Sequence, residues 1–281
     1  MHERIAITIL VDNQPGEGLT SEHGFSLWIE TGAKRILFDT GQGPALLGNA
    51  KRLGVALEET QILVLSHGHY DHTGGIPGVL SMAPDVEIYC HPSVVQAHYS
   101  IQDNTPPRSI GMPQASLTTF HCHPSQRVHW VTEPLILNEG IGLTGLVPRE
   151  TNFEDAGGPF YLDPEGAQPD PIEDDLSLWI STPAGLVVCL GCCHAGLVNT
   201  LDYIVRITGE TRIRAIIGGM HLVAANERRL TATVAALRFL SPDLILPCHC
   251  TGKHAVQSLK IALGDRVVLG RSGEIYEFMN R

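Results

Sequence analysis

Four side chains of the kinds that hold metal ions fall within six positions in the run Ser66-His67-Gly68-His69-Tyr70-Asp71-His72. Imidazole nitrogens and carboxylate oxygens are donors that zinc-type ions take. In an extended segment residues two apart share a face, so His67 and His69 can reach one ion, while the turn after them swings Asp71 and His72 toward a second. Gly68, Gly74 and Gly75 leave the backbone free to bend close to the ions. Ions of this kind lower the pKa of bound water to about 7 and polarise an electrophilic oxygen. The expected reaction is attack by water or hydroxide, held between the metals, on an ester, lactone, phosphoester or similar centre. Ser66 does not sit in a recognised nucleophile elbow, and no serine or cysteine nucleophile is required.

Such a loop needs a rigid seat. The apolar residues 62–65 feed directly into it and read as a short buried strand. Before them, residues 5–11 read as a strand, 24–30 and 35–38 as a hairpin turning at 31–34, and 43–53 as a helix from the spacing of Leu46, Leu47 and Leu53. After them come a short helix at 76–81 and a strand at 86–90. From about 92 to 134 the pattern is irregular, with Pro106-Pro107 and Gly111-Met112-Pro113, and reads as an insertion or lid over the surface. Strands follow at 135–137, 141–146, 177–180, 186–190, 215–217, 244–246 and 267–269, with helices at 198–208 and 225–240 and an acidic, Pro-rich loop at 163–175. Both halves repeat one theme, hairpin strands and then strands alternating with helices. Residues 1–281 therefore read as a single α/β domain with two sheets and helices outside.

Further donors stand at later strand ends. His194 follows 186–190 in a Gly191-Cys192-Cys193-His194 loop, and is either a ligand or a helix-capping or packing residue. His249 follows 244–247 between Cys248 and Cys250, with the same alternatives. His221, after 215–217 and two glycines, holds substrate or transition-state charge, adds a ligand, or fills the core. Asp39 ends the strand 35–38 and either steadies the histidine loop or forms a turn before Gly41. Cys192 is a thiolate donor or a buried inert thiol. Cys248 and Cys250 are spaced too closely for the usual Cys-only structural zinc. Arg108 and Arg149 either grip a phosphate or carboxylate or make exposed salt bridges. His121, His123 and His129 read as surface residues.

Composition narrows the function classes. The 281 residues are 43% apolar and 17% charged, which suits a globular chain with a large core. A net charge of −11, with no basic run interleaved with aromatics, argues against a nucleic-acid backbone as partner. No run reaches about 18 apolar residues, so no membrane span is expected. Residues 1–14 lack the basic segment and cleavage site of an export signal, which leaves the cytoplasm as the expected address. Seven cysteines in so long a chain read as reduced thiols. Composition is silent on oligomeric state.

The His-x-His-x-Asp-His run after an apolar strand resembles the signature of the metallo-β-lactamase superfamily, and the likeness extends over nearly the whole chain. More narrowly, Leu65 to Gly75, Gly191 to Gly196, Gly218-Gly219-Met220-His221-Leu222 and His249-Cys250-Thr251-Gly252 resemble the branch named after 7,8-dihydropterin-6-methyl-4-(ribofuranosyl)aminobenzene-phosphate synthase. The resemblance implies an αββα sandwich of two mixed β-sheets flanked by helices, binding a pair of Zn2+ ions, with Mn2+ or Fe2+ as alternatives. It assigns His67, His69 and His194 to one metal and Asp71, His72 and His249 to the other, with Asp39 steadying the loop. His221 would stabilise developing negative charge, and Asp71 would orient the nucleophile besides ligating. Many members bridge their ions with an aspartate where this chain has Gly191-Cys192-Cys193-His194. The expectation is a zinc-dependent hydrolase of a small, anionic molecule. The alternatives are a transferase joining a dihydropterin pyrophosphate to an aryl amine, a noncatalytic metal or ligand-binding protein, and redox chemistry at iron.

Overall fold

Alternation along the first strand sets the layering. In Arg4–Val11, Ile5, Ile7 and Ile9 enter one apolar cluster, whereas Leu10 and Val11 enter another. A strand that is apolar on both faces must be covered on both. The computed structural model, which describes residues 4–32 and 34–279, supplies a second sheet on one side and helices on the other.

The first sheet has the order Ile275–Met279, Arg4–Val11, Ser26–Thr31, Arg35–Phe38, Ile62–Val64, Glu87–Cys90, Val128–Trp130. Its first four strands pair antiparallel, and those from Arg35–Phe38 onward pair parallel. The second sheet has the order Leu244–Cys248, Ile213–Gly219, Gly185–Leu190, Leu178–Thr182, Ile141–Leu143, Leu135–Asn138, parallel among the first three and antiparallel thereafter. Between the sheets Ile7, Ile29, Ile36 and Val64 pack with Leu178, Val187, Ile217 and Leu246. Outside the first sheet Leu37, Leu63 and Ile88 meet Leu46 and Ala50 of the helix Pro44–Leu53 and Val79 of the helix Ile76–Met82. Outside the second, Leu186, Val188 and Ile245 meet the helices Leu197–Thr208, Glu227–Leu240 and Lys253–Leu263. The fold is an αββα sandwich of two mixed sheets.

Four segments differ from the sequence reading. Within 92–134, the helix Gln114–Cys122 and the strand Val128–Trp130 belong to the scaffold, and Phe120 is part of the core. That helix buries only Ser116 and Phe120, so it carries almost no apolar stripe to read. What crosses the surface is the stretch between, where Tyr99–Ser100 pairs with Arg108–Ser109 and with Phe160–Tyr161 in a small third sheet. The stretch 267–269 is not a strand: Val267 makes one isolated bridge to Ile245. The helix Lys253–Leu263 and the edge strand Ile275–Met279 were not anticipated, and the latter pairs with Arg4–Val11.

The second sheet reaches the site through a tight parallel contact. Gly218 lies opposite Leu190 with φ 132°, and a β-carbon there would sit 2.0 Å from the Leu190 carbonyl oxygen. Gly218→Ala is therefore expected to lower the unfolding free energy by about 2–4 kcal/mol. Urea unfolding measures this, and an unchanged midpoint would mean that the two strands can spread freely.

Candidate metal centre

The parallel strands Arg35–Phe38, Ile62–Val64, Gly185–Leu190, Ile213–Gly219 and Leu244–Cys248 each run into a loop that carries a candidate residue. Loops beyond the carboxyl ends of parallel strands are where open α/β sheets bind ligands. Asp39, His221 and His249, and Cys193 between Cys192 and His194, have positive φ although none is glycine. Such backbone costs about 1–3 kcal/mol each and is held by surrounding packing.

The loops bring all six expected ligands together. His67, His69 and His194 form a triangle with ring centroids 4.5, 4.9 and 5.0 Å apart. Their three Nε2 atoms are buried and have no hydrogen-bond partner among the described residues. Burial holds His67, His69 and His194 well below the usual imidazole range, so all three rings are neutral donors. Beside them, His72 Nε2 lies 3.3 Å from His249 Nε2 and 3.1 Å from Cys192 Sγ, and Asp71 Oδ2 lies 3.3 Å from His249 Nε2. Among the described residues, three donor groups satisfy the spacing needed for an ion: His67–Cys192–His194, His72–Cys192–His249 and His23–Asp71–His249. His69 adjoins the first through its ring contacts.

Hydrogen bonds at the far side of four of these rings decide which nitrogen faces inward. His194 Nδ1 donates to the Ala156 carbonyl at 2.7 Å, so its Nε2 carries the lone pair. His72 Nδ1 donates to Asp39 Oδ2 at 2.7 Å, and His249 Nδ1 to Asn13 Oδ1 at 2.9 Å. Ser66 Oγ donates to Asp39 Oδ2 at 2.7 Å and accepts from His67 Nδ1 at 2.9 Å. The second Asp39 oxygen accepts the Ser66 N–H at 2.7 Å. One buried carboxylate thus orients His72 directly and His67 through Ser66. His249 Nε2 faces both His72 Nε2 and Asp71 Oδ2 at 3.3 Å, a place that a proton on His249 or a cation fills, and three orphaned buried nitrogens cost about 1–3 kcal/mol each. The donor set fits one or two borderline ions.

His69, Asp71, Cys192, His194 and His249 floor a cavity of about 540 Å³, walled by Tyr70, Arg108, Ile110, Phe160, His221 and Cys250 among others. His221 stands 4.2 Å from His194, ring to ring, with its Nδ1 unpartnered, and burial holds its pKa down. Arg108 is exposed and lies over the Tyr70 ring at 4.9 Å. Arg149 is not at the cavity as an anion grip: its guanidinium donates to the carbonyls of His194, Pro171 and Ile172. His123 is buried and donates to the Val86 carbonyl, and His129 pairs with Glu87, so of the outlying histidines His123 is not a surface residue.

Several supporting residues escaped the sequence reading. His23 Nε2 reaches Asp71 Oδ2 at 3.1 Å from an exposed position. Burial alone would raise Asp71, but the hydrogen bonds from His23 and His249 hold its carboxylate well below the usual range. Asp12 Oδ1 accepts the His249 N–H at 2.7 Å. The acidic loop 163–175 folds inward: Asp174 accepts the Gly68 N–H at 2.6 Å, Asp175 the Ala195 N–H at 2.9 Å, and Asp170 meets His98 Nδ1 at 2.5 Å. Burial would depress the His98 imidazolium, but the Asp170 hydrogen bond and the charges of Asp174 and Asp170 outweigh it and raise its pKa. The one sequence signal was the density of aspartates, which a solvated loop also has.

Residues 19–249 match the sequence profile of the Metallo-beta-lactamase superfamily. The chain is 32% identical over 244 residues to the 7,8-dihydropterin-6-methyl-4-(beta-D-ribofuranosyl)-aminobenzene-5'-phosphate synthase of Methanocaldococcus jannaschii, covering 83% of this chain and 82% of that protein. An uncharacterized protein of the same organism is 31% identical over 271 residues, covering 96% and 98%. Among solved structures, Tm1679, described as a metal-dependent hydrolase of the beta-lactamase superfamily, superposes with a TM-score of 0.84 at 28% identity, covering 98% of this chain and 100% of that one. With profile, relatives and fold in agreement, the chain belongs to the metallo-β-lactamase superfamily, in the branch that resembles the dihydropterin-related synthase.

Proposed function

We propose that this protein is a zinc-dependent hydrolase with a dinuclear centre, acting on an ester, lactone or phosphoester-type small molecule that carries negative charge. The observation that supports this most is the convergence of two adjoining donor groups, His67–Cys192–His194 with His69 alongside and His72–Cys192–His249 with Asp71 alongside, beneath one open cavity that His69, Asp71, Cys192, His194 and His249 line. Zinc-type ions there would supply Lewis-acid polarisation and an acidified water, with Mn2+ or Fe2+ as possible occupants. The residues around them divide the remaining work. Asp71 ligates and orients the nucleophile, and His221, on the wall beside His194, stabilises the negative charge that develops on the substrate oxygen. Arg108, at the mouth, binds the substrate's anionic group. The free thiols, six of the seven buried, suit a reducing compartment such as the cytoplasm.

Similarity to the archaeal synthase favours a second reading, in which the same centre holds a pterin pyrophosphate while an aryl amine displaces it. The two share an anionic substrate and differ in the nucleophile, water in the first and an aryl amine that releases pyrophosphate in the second. Product analysis separates them: the metal-loaded protein is offered simple phosphodiesters and lactones in one series, and a dihydropterin pyrophosphate with an aryl amine in the other. Hydrolysis in the first series supports the main reading, and amine-dependent coupling alone replaces it. Retained metal without turnover in either series would mean a binding protein.

Arg108 gives a graded test of substrate charge. Arg108→Ala is expected to raise KM for an anionic substrate about 10- to 100-fold while kcat changes little, as for loss of one charge-assisted contact. A neutral ester of the same shape should show no such change. Equal effects on both would assign Arg108 to loop structure.

A further inference from the structure

We propose that a second cavity, beside the helix Lys253–Leu263, takes the phosphate-bearing far end of an elongated substrate whose reacting end sits at the metal centre. The inference rests on the hydrolytic reading above and deepens it by naming the shape and charge of the substrate. The cavity measures about 750 Å³ and adjoins the metal cavity at Asn13, Val223 and His249, which line both. Val223, 63% exposed, stands on the shared lip, where the body of a long molecule would cross.

The charges are arranged to receive an anion. The chain has four lysines, and Lys253 and Lys260 line this cavity together with Arg271, in a protein of net charge −11. All three are exposed, and among the described residues none of their side chains makes an ion pair or a hydrogen bond. By contrast, Arg4, Arg35, Arg127, Arg206 and Arg229 are each paired with a carboxylate. Asp12 is the only acidic residue among the described lining residues, and it is 1% exposed and already engaged. Its Oδ1 accepts the His249 N–H at 2.7 Å and its Oδ2 the Gln14 N–H at 2.8 Å. What the cavity shows to solvent is therefore positive, and a cleft lined by one sign of charge concentrates the opposite ion.

Between the cations the helix supplies an apolar bed. Lys253, Val256, Gln257 and Lys260 stand at positions i, i+3, i+4 and i+7 and share one face, whereas Ala255, Leu259 and Leu263 are buried on the other. The two lysines are two turns apart, roughly 10 Å along the axis. Ile261, 80% exposed, and Leu269 extend the bed. Gly252 lets the Val223 loop close onto the start of this helix, since a β-carbon there would come within 2.7 Å of Val223 Cα. An apolar bed ringed by unpaired cations matches a ligand with an apolar body and an anionic end. A phosphate monoester suits it better than a carboxylate, because it carries a charge of about −1.5 to −2 and three acceptor oxygens.

The test titrates the zinc-loaded full chain by calorimetry with alkylphosphonates, which resist hydrolysis, and with α,ω-alkanebisphosphonates of increasing chain length. Once the chain spans both cavities, the bisphosphonate is expected to bind about 10- to 100-fold more tightly than the alkylphosphonate of equal length. That advantage should disappear when Lys260→Gln and Arg271→Gln are combined. It should persist when Lys51→Gln and Arg52→Gln are combined, which removes the same charge from two exposed residues of the helix Pro44–Leu53. An advantage absent at every length, one that survives the Lys260 and Arg271 changes, or one lost equally in the Lys51 and Arg52 control would overturn the proposal and leave the metal cavity standing. Failure to bind either series would overturn the reading of the metal cavity as well. A change of sedimentation between the parent and the Lys260 and Arg271 variant would give this face to a second copy of the chain, and retention of the parent alone on phosphatidylglycerol vesicles would give it to a membrane. Either result would overturn the substrate subsite.

Discussion

His72→Ala is expected to lower kcat/KM about 100- to 10,000-fold and to reduce bound metal by one ion per chain. His72 stands where the supports of the site cross. Its Nε2 faces His249 Nε2 at 3.3 Å and Cys192 Sγ at 3.1 Å, and its Nδ1 is fixed by Asp39 at 2.7 Å. Alanine removes one donor of the second group outright and leaves the Asp39 carboxylate, which is fully buried, short of one of its donors. The magnitude follows from the several kcal/mol that a metal contributes to charge stabilisation in the transition state. Elemental analysis of purified protein measures the stoichiometry, and turnover of a substrate that the parent hydrolyses measures the rest. Because the ring is wholly buried, the thermal midpoint is measured alongside to separate loss of metal from loss of fold. A folded variant with full metal content and full turnover would remove His72 from the centre.

The convergence of the candidate donors was legible because they lie in short clusters directly after apolar strands. Residues 62–65 could hardly be anything but a buried strand, and a strand end with two histidines two apart already defines half a site. His194 and His249 were legible for the same reason, each standing just past an apolar run that ends in glycine, proline or cysteine. The sandwich was legible from strands that are apolar on both faces, such as Gly185–Leu190, which demand cover on each side.

What stayed hidden depends on distance in the chain. His23 and Asp71 are far apart in sequence and meet only because Gly24 packs against the Asp71 carbonyl oxygen, where a β-carbon would come within 2.9 Å. Asp174 and Asp175 looked like part of a solvated acidic loop. They are instead anchors beneath two ligand loops, bonded to Gly68 and Ala195, and nothing in a local pattern distinguishes a carboxylate facing water from one facing a backbone amide. Arg149 was misread for a related reason. An arginine near a site is equally suited to an anion and to carbonyl oxygens, and here Ala156, Pro171, Ile172 and His194 form a strap in which the guanidinium and the His194 ring fix one another's loops. The helix Gln114–Cys122 was hidden by polarity, since two buried residues make no stripe.

Asp39→Asn is expected to weaken binding of both ions, about 10- to 100-fold each, although Asp39 touches neither subsite directly. The carboxylate accepts three hydrogen bonds, from Ser66 N, Ser66 Oγ and His72 Nδ1, and has no exposure to solvent. Asparagine keeps the shape but offers one oxygen and an amide group that donates. If its oxygen faces the Ser66 N–H, its amide nitrogen points at Ser66 Oγ and at His72 Nδ1–H, two donors that it cannot satisfy. Ser66 Oγ can then turn to accept from the amide, which frees His67 from its fixed tautomer. His72 must rotate or move its proton to Nε2, where it blocks the lone pair needed for the ion. The loss is therefore one of orientation in both donor groups, of the size that removing an outer carboxylate typically produces. Competition with a chromophoric chelator measures both affinities, and imidazole NMR of the metal-stripped protein reports the His72 tautomer. Loss confined to the His72 ion would mean that Ser66 holds His67 without Asp39. Unchanged affinities with an altered tautomer would mean that the ions themselves orient the rings, and the carboxylate would then be a fold residue.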